Sequence, residues 1–562
     1  MFDPVGSDMA AHPKRNTAAG DARLHPPARP STSREWALAQ RGGMVDGATV
    51  TRSSRFLSGF SFGLANQVLT LVVGLFLTPF LLRHLGQSDL GMWLVASSLM
   101  GYLGLLDLGV AALLPRETAY AAGRNPERPL PAVSEVFGQA LQIALLQLPL
   151  VAVGALMLLP LLPESGEKLL YPFLMVLGTF VLLFPLRLFQ AVLSGLQDLR
   201  FLGILQTVSW AAGTIASISL VLANAGLFAV AAGWMVTQVL SALACLWRLR
   251  TAYPEALPRK LPKLSMEGIR SWLSRSLWIT VSNVAQLLRL GTDVVIIGKL
   301  LGPEAVVPFT CTAKLVSVLS NAPQLVLASA QPALAELRMS SNKERITEVA
   351  SALERLTLFV SGAVFCGVLS INEGFVLEWV GTEQYGGLGL TLLFLASMLL
   401  RHFCLSVNTC LFCFGHERRL ALTAVTDGVV TLVAMWTGVY LAGWQGAALA
   451  PIIGICTVSL PMNLSLFAKD TGRTVGQVLR NLMPWAVRCA AVAALALGIT
   501  MGLAPRGFPL LTLAGAVVGG LYLLVMGPLL FQGTLGTYVR PRVEALRARF
   551  VSARGGGRLG TG

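Results

Sequence analysis

The chain has 562 residues, 54% of them hydrophobic and only 13% charged, with a mean hydropathy of +0.67. Soluble domains carry about 25% charged residues, so the composition excludes an ordinary soluble domain and points to an all-α polytopic membrane protein. The formal net charge is +15, but the basic residues are spread through loops and tails. That distribution argues against a nucleic-acid partner and fits the Lys and Arg excess of cytoplasmic loops.

Residues 1–52 are rich in Pro, Ala, Arg and Ser, without periodicity and without the apolar run of a secretory signal. They are expected to form a disordered basic cytoplasmic tail, with Met44 as an alternative start. Fourteen apolar segments follow, each near the roughly 20 residues that a spanning helix needs: 56–82, 90–114, 134–161, 169–194, 200–222, 226–248, 273–298, 304–332, 351–372, 387–412, 419–441, 446–467, 484–503 and 508–531. The close joins at 195–200 and 222–226 leave twelve or thirteen as alternative totals.

Loop charge supports this count. With fourteen spans and a cytoplasmic N-terminus, the outer loops hold only Arg83, Lys168, Lys299 and Arg506 among the basic residues. Those loops also carry Glu164, Glu167, Glu373, Glu378 and Glu383. A miscount would scramble the alternation, so both termini are expected in the cytoplasm.

The first two spans form a hairpin from Arg55 to Arg116, with Asn66, Gln67, Pro79 and Asp107 set into apolar sequence. Polar groups at membrane depth are costly unless they face a protein-lined cavity. A weaker copy of the hairpin's first half recurs 216 positions later: Leu57-Ser58 aligns with Leu273-Ser274, Val68 with Val284, Arg83 with Lys299, and Leu85-Gly86 with Leu301-Gly302. Between the copies lies a basic connection with three prolines, YPEALPRKLPKLSMEG. The expected organisation is therefore a six-helix bundle over 53–250, a cytoplasmic linker over 251–270 and a second six-helix bundle over 271–468. Two appended helices over 469–532 and a basic tail over 533–562 complete it. Such a division corresponds to a parallel repeat about an axis along the membrane normal. In the tail, Val539, Val543, Leu546 and Phe550 share a helical face among arginines. This fits either a helix lying on anionic lipid or a solvated tail.

Eight ionisable residues fall inside the expected spans: Asp107, Arg187, Arg289, Asp293, Lys314, Arg401, Asp427 and Arg488. Each costs a few kcal/mol or more at the bilayer centre unless paired or hydrated. Arg289 and Asp293, four apart, share a helical face and either neutralise each other or serve a site. Arg289, Lys314 and Arg401, with Arg187 a weaker member, make a candidate cationic lining. Its natural ligand is a phosphate or pyrophosphate, because guanidinium groups offer bidentate donors to such anions. Asp107, Asp293 and Asp427 are candidates for proton or sodium coupling, or for helix packing, and Asn66 and Gln67 are candidate cavity residues. His402, Cys404, Cys410, Cys413 and His416 lack a second CxxC, so no metal site is expected. No nucleotide loop of the GxxxxGK[ST] type occurs, and no catalytic constellation or cofactor is expected.

The segment LTPFLLRHLGQSDLGMWLVASSLMGYLGLLDLGVAALLPRETA, residues 77–119, resembles the start of the polysaccharide transporter (Wzx-like O-antigen/oligosaccharide flippase) family of the MATE-like flippase superfamily. TDVVIIGKLLGPEAVVPFTCTAKL, 292–315, resembles the same family's seventh-to-eighth helix motif, with Asp293 and Gly302 in place. One departure is Val306-Val307-Pro308, where the family has a glycine and an aromatic; Phe309 is the nearest aromatic. The resemblance implies two six-helix bundles around a central cavity, working by alternating access in a bacterial cytoplasmic (inner) membrane. It implies a polyprenyl-pyrophosphate-linked oligosaccharide as substrate, carried to the outer leaflet for O-antigen, capsule or exopolysaccharide synthesis. It also implies membrane lipids, a coupling proton or sodium ion and a polysaccharide polymerase as partners. Two rival readings stay open: a MATE-like cation-coupled drug exporter, and a non-transporting scaffold of a glycan-assembly complex.

Overall fold

A chain immersed in lipid satisfies its backbone within helices or closed barrels, and this one uses helices. The computed structural model describes residues 73–124, 128–163, 167–258, 266–324, 327 and 343–531, with no strand among them. The first half of the chain contains α1 (Val73–Leu85), α2 (Gln87–Leu103), α3 (Val110–Arg124) and α4 (Pro129–Leu156). It continues with α5 (Glu167–Leu183), α6 (Arg187–Gly195), α7 (Leu199–Leu222) and α8 (Leu227–Ala252). The second half runs through α9 (Met266–Leu290), α10 (Asp293–Leu300), α11 (Val306–Leu319), α12 (Lys343–Val380) and α13 (Leu388–Cys413). It ends with α14 (Glu417–Gly454), α15 (Leu460–Asp470), α16 (Val475–Leu503) and α17 (Phe508–Leu530).

Eleven helical stretches among the described residues are long and apolar enough to cross a membrane, or twelve with the bent pair α9–α10. The chain is thus a multi-pass membrane protein. One stretch, Glu417–Asp470, has 54 residues, far beyond the roughly 20 of one crossing. It breaks at Gly443. Of the expected first span only Val73 onward is described, so the expected total of fourteen reaches beyond these residues. Asn66, Gln67, the 1–52 and 533–562 tails and linker residues 259–265 also lie outside them.

Two expected spans are interrupted. The 90–114 segment ends its α-helix at Leu103, passes through a 3-10 turn at Gly104–Asp107, and reverses handedness at Leu108 (φ 48) and Gly109 (φ 75) before α3. The Asp107 Oδ1 accepts the Gly109 N–H at 2.7 Å, a side-chain bond that competes with the helical ladder. A side chain at Gly109 would lie 2.8 Å from the Ser276 carbonyl oxygen, so the break also lets the chain approach α9 closely. The 273–298 segment bends by 46° between α9 and α10, and there Asp293 Oδ1 accepts the Val294 N–H at 2.9 Å.

The repeat reappears in the backbone. Gly86 (φ 86, ψ 167) and Gly302 (φ 90, ψ 161) take the same conformation 216 positions apart. Gly226 (φ 56, ψ −135) and Gly443 (φ 57, ψ −133) do so at a spacing of 217. Neither conformation is comfortable for a residue with a Cβ. Gly443→Val is therefore expected to cost roughly 1–3 kcal/mol, read as a lower melting temperature of the purified protein.

The two halves of the chain touch at both ends of the helices. At one end, Gln87 Nε2 donates to the Glu304 carbonyl at 2.9 Å, and Gln384 Nε2 donates to Gln87 Oε1 at 2.9 Å. Trp379 Nε1 donates to the Leu75 carbonyl at 2.5 Å, and Gly91 lies directly against Pro303. At the other end, Arg275 pairs with Glu117 at 2.9 Å, and Trp272 Nε1 donates to Gln139 Oε1 at 3.1 Å.

Candidate functional site

The interior charges of the second half converge on one cavity of about 280 Å³. Four segments supply its charged and hydroxyl groups: α9 brings Arg289, α13 brings Arg401, α14 brings Asp427 and Thr431, and the segment after α14 brings Ser459. Asp427 is buried and fully engaged. Its Oδ2 accepts from Ser459 Oγ at 2.6 Å, its Oδ1 accepts from Thr431 Oγ1 at 3.3 Å, and Arg289 Nη1 stands 3.9 Å from Oδ2. Local sequence explains this convergence. Asp427 and Thr431 are four apart on one helical face. Pro451 precedes a π-helical turn at Ile455–Ser459, and such turns, common at functional sites, shift the register of the residues they carry.

Arg401 is placed differently. It is half-buried and lines the same cavity, and its charge interacts with those of Arg289, Asp427 and Asp293. Its guanidinium makes no hydrogen bond or salt bridge among the described residues. Two guanidinium groups thus face one carboxylate that is already saturated with donors. Asp427→Leu strands Arg289 and removes both hydroxyl acceptors, whereas Asp427→Asn keeps the size and the acceptor oxygen. Membrane abundance is expected to fall clearly for the leucine variant and little for the asparagine variant, by immunoblot.

The structure does not assemble all four expected cations. Lys314 is half-buried on α11 and does not line this cavity. Arg187 lies in the first half, at the start of α6, with its guanidinium 5.1 Å over the Phe180 ring. It borders a small void shared with Asp107 and Gln147. The reason is topological: helical position along the membrane was legible in sequence, but not which side of each helix faces which neighbour. The Arg289–Asp293 face is also divided. The bend at Gly291–Thr292 separates the two residues, so Arg289 turns to Asp427 while Asp293, the first residue of α10, accepts the neighbouring Val294 N–H. Arg488, expected near a span end, instead lies midway along α16 and donates to the Val525 carbonyl at 3.4 Å. Phe309 is buried against Phe394, ring centroids 5.0 Å apart, and so provides an aromatic contact beside the departing Val306-Val307-Pro308.

Sequence reasoning passed over Thr431, Ser459 and the amides of Gln286, Gln324 and Asn408, which also line the cavity. The i, i+4 spacing of Asp427 and Thr431 was the available signal. His402 bonds Ser361 at 2.9 Å and His416 pairs with Asp470 at 2.7 Å. Among the described residues, no three His, Cys, Asp or Glu side chains stand where they could hold a metal ion.

Residues 56–338 match the family model described as polysaccharide biosynthesis protein. Among solved structures, the chain is similar to a lipid II flippase, MurJ, in an inward closed conformation. The TM-score is 0.61 with 11% identity, covering 84% of this chain and 99% of that one. It is also similar to an inward-facing multidrug resistance MATE family transporter of the MOP superfamily, with a TM-score of 0.55 and 12% identity over 70% of this chain and 96% of the other. At such identities the likeness concerns the fold. No curated protein sequence matches the chain.

Proposed function

Because the chain belongs to the polysaccharide biosynthesis protein family, we propose that it is an alternating-access flippase for a polyprenyl-pyrophosphate-linked oligosaccharide. It carries this lipid from the inner to the outer leaflet of a bacterial cytoplasmic membrane for cell-surface polysaccharide assembly. Two six-helix bundles enclose the path, both termini lie in the cytoplasm, and a polysaccharide polymerase receives the product.

The observation that carries this reading is the unpaired Arg401 guanidinium in a cavity shared with Arg289. A half-buried guanidinium with no internal hydrogen bond or salt bridge is costly to keep unless a ligand completes it. A planar fork of donors matches phosphate oxygens. The pyrophosphate supplies the matching charge, while the polyprenyl chain remains in the bilayer. Arg401 and Arg289 hold the headgroup in this scheme; Lys314 and Arg187, placed elsewhere, do not share that cavity. Asp427, whose carboxylate ties α14 to α9 and to Ser459, and Asp293 beside the α9–α10 bend are the candidate seats of proton or sodium coupling. Asp107, which holds the break before α3, is the candidate in the first half.

Deleting the gene tests the reading. Lipid-linked oligosaccharide is expected to accumulate on the cytoplasmic leaflet, measured by its inaccessibility to a glycosidase added outside intact spheroplasts. Normal outer-leaflet delivery in the deletion strain would overturn it.

A further inference from the structure

Arg187, which stands apart from the proposed headgroup cavity, borders a second cavity of about 230 Å³ between α5–α6 and α8. The polar groups facing it are Thr179, Gln190, Gln238 and Ser241, and Trp234 lines it as well. Trp234, Gln238 and Ser241 follow one another at spacings of four and three, so α8 presents them on one face. Among the described residues, the amides of Gln190 and Gln238 and the hydroxyl of Ser241 make no hydrogen bond. The Nη1 of Arg187 is buried and also without a partner. Gln190 is exposed and Gln238 and Ser241 are half-buried, so their polar groups are open to a ligand. A buried donor such as this Nη1 is normally satisfied, and its lack of a partner calls for a ligand or water.

Charge separates this cavity from the one at Arg401. The Arg187 charge interacts with the Asp107 carboxylate and lies over the Phe180 ring, so one cation is set against one anion. In the other cavity two guanidinium groups line the wall with one carboxylate. A charge-compensated pocket has little to attract a pyrophosphate. Two primary amides, two hydroxyls and a guanidinium instead offer donors and acceptors in the mixture that a ring bearing several hydroxyl groups requires. An indole provides a flat apolar surface for the C–H face of such a ring.

We propose that this first-half cavity receives a neutral sugar ring of the lipid-linked glycan, with Gln190, Gln238 and Ser241 bonding its hydroxyls and Trp234 covering its apolar face. The inference rests on the flippase reading and adds to it a division of labour. The second half of the chain holds the charged headgroup, and the first half selects the glycan.

The test compares two probes on the full-length protein in lipid nanodiscs: bare polyprenyl pyrophosphate, and the lipid-linked oligosaccharide extracted from cells lacking the gene. Wild-type protein is expected to bind the glycan-bearing lipid about tenfold more tightly, the equivalent of one or two net hydrogen bonds. The pair Gln190→Ala and Gln238→Ala is expected to erase that increment while leaving affinity for the bare lipid unchanged, which also certifies that the variant is folded. Ser241→Ala, a smaller change, should reduce the increment. Trp234→Ala should remove most of it, and Trp234→Phe should restore it. A wild-type protein that does not distinguish the two lipids, or an increment that survives in the double variant, overturns the inference. Failure of the parent reading looks different: Arg401→Gln would then leave affinity for the bare lipid unchanged.

Discussion

Replacing Arg401 by Gln is expected to abolish glycan export while leaving membrane abundance at the wild-type level. The guanidinium lines the cavity without an internal hydrogen bond or salt bridge among the described residues, so its loss breaks nothing that folds the protein. What it removes is the charge meant for the headgroup. Truncating one partner of a desolvated charge pair costs about 2–5 kcal/mol, so affinity for polyprenyl pyrophosphate should fall at least about thirtyfold. Arg401→Lys keeps the charge but loses the planar fork, and an intermediate affinity is expected. Arg289→Gln should also abolish export, with an additional stability cost because Asp427 then loses its cation. Wild-type export from both glutamine variants would remove the headgroup assignment.

A reversible cross-link between Gln87→Cys and Gln384→Cys is expected to stop export completely, with recovery after reduction. These side chains bond each other across the two halves of the chain at 2.9 Å, and Gln87 also bonds the Glu304 carbonyl. Neutral hydrogen bonds of this kind contribute about 0.5–1.5 kcal/mol each, weak enough to break and re-form as a two-state element requires. The Glu117–Arg275 pair at the opposite end has side chains 15% and 42% exposed. An ion pair so placed contributes roughly 0–1 kcal/mol. These polar contacts are therefore individually weak, and a covalent bridge converts one closure into a permanent lock. The experiment is done with a bis-methanethiosulfonate reagent in a Cys456→Ser background, since Cys456 is the exposed native thiol. Full cross-linking with undiminished export would exclude alternating access and favour a scaffold.

Much of the architecture was legible because lipid imposes it. Hydrophobic run lengths located the helices, and the glycines at 86 and 302 marked equivalent turns whose backbone angles agree in the structure. The Gly226–Gly443 pair escaped notice because its spacing is 217 rather than 216, and a single slipped residue hides a match among apolar residues. The expected continuous helices at 90–114 and 273–298 failed at Asp107 and Asp293. In both places a carboxylate accepts a main-chain N–H that a regular helix would have used.

The amino-acid sequence by itself determined that this is a helical, multi-pass membrane protein with charges carried at membrane depth, because hydropathy and run length act locally and leave lipid-immersed backbone few alternatives. It also contained the family resemblance, in two short segments around helix turns. Only the tertiary structure decided which charges share a space. Arg289 meets Arg401 and Asp427 although α9 is distant in sequence from the consecutive α13 and α14, while Lys314 and Arg187 lie outside that cavity. Helix rotation and packing set those meetings, and both depend on every contacting helix at once rather than on any single stretch of residues.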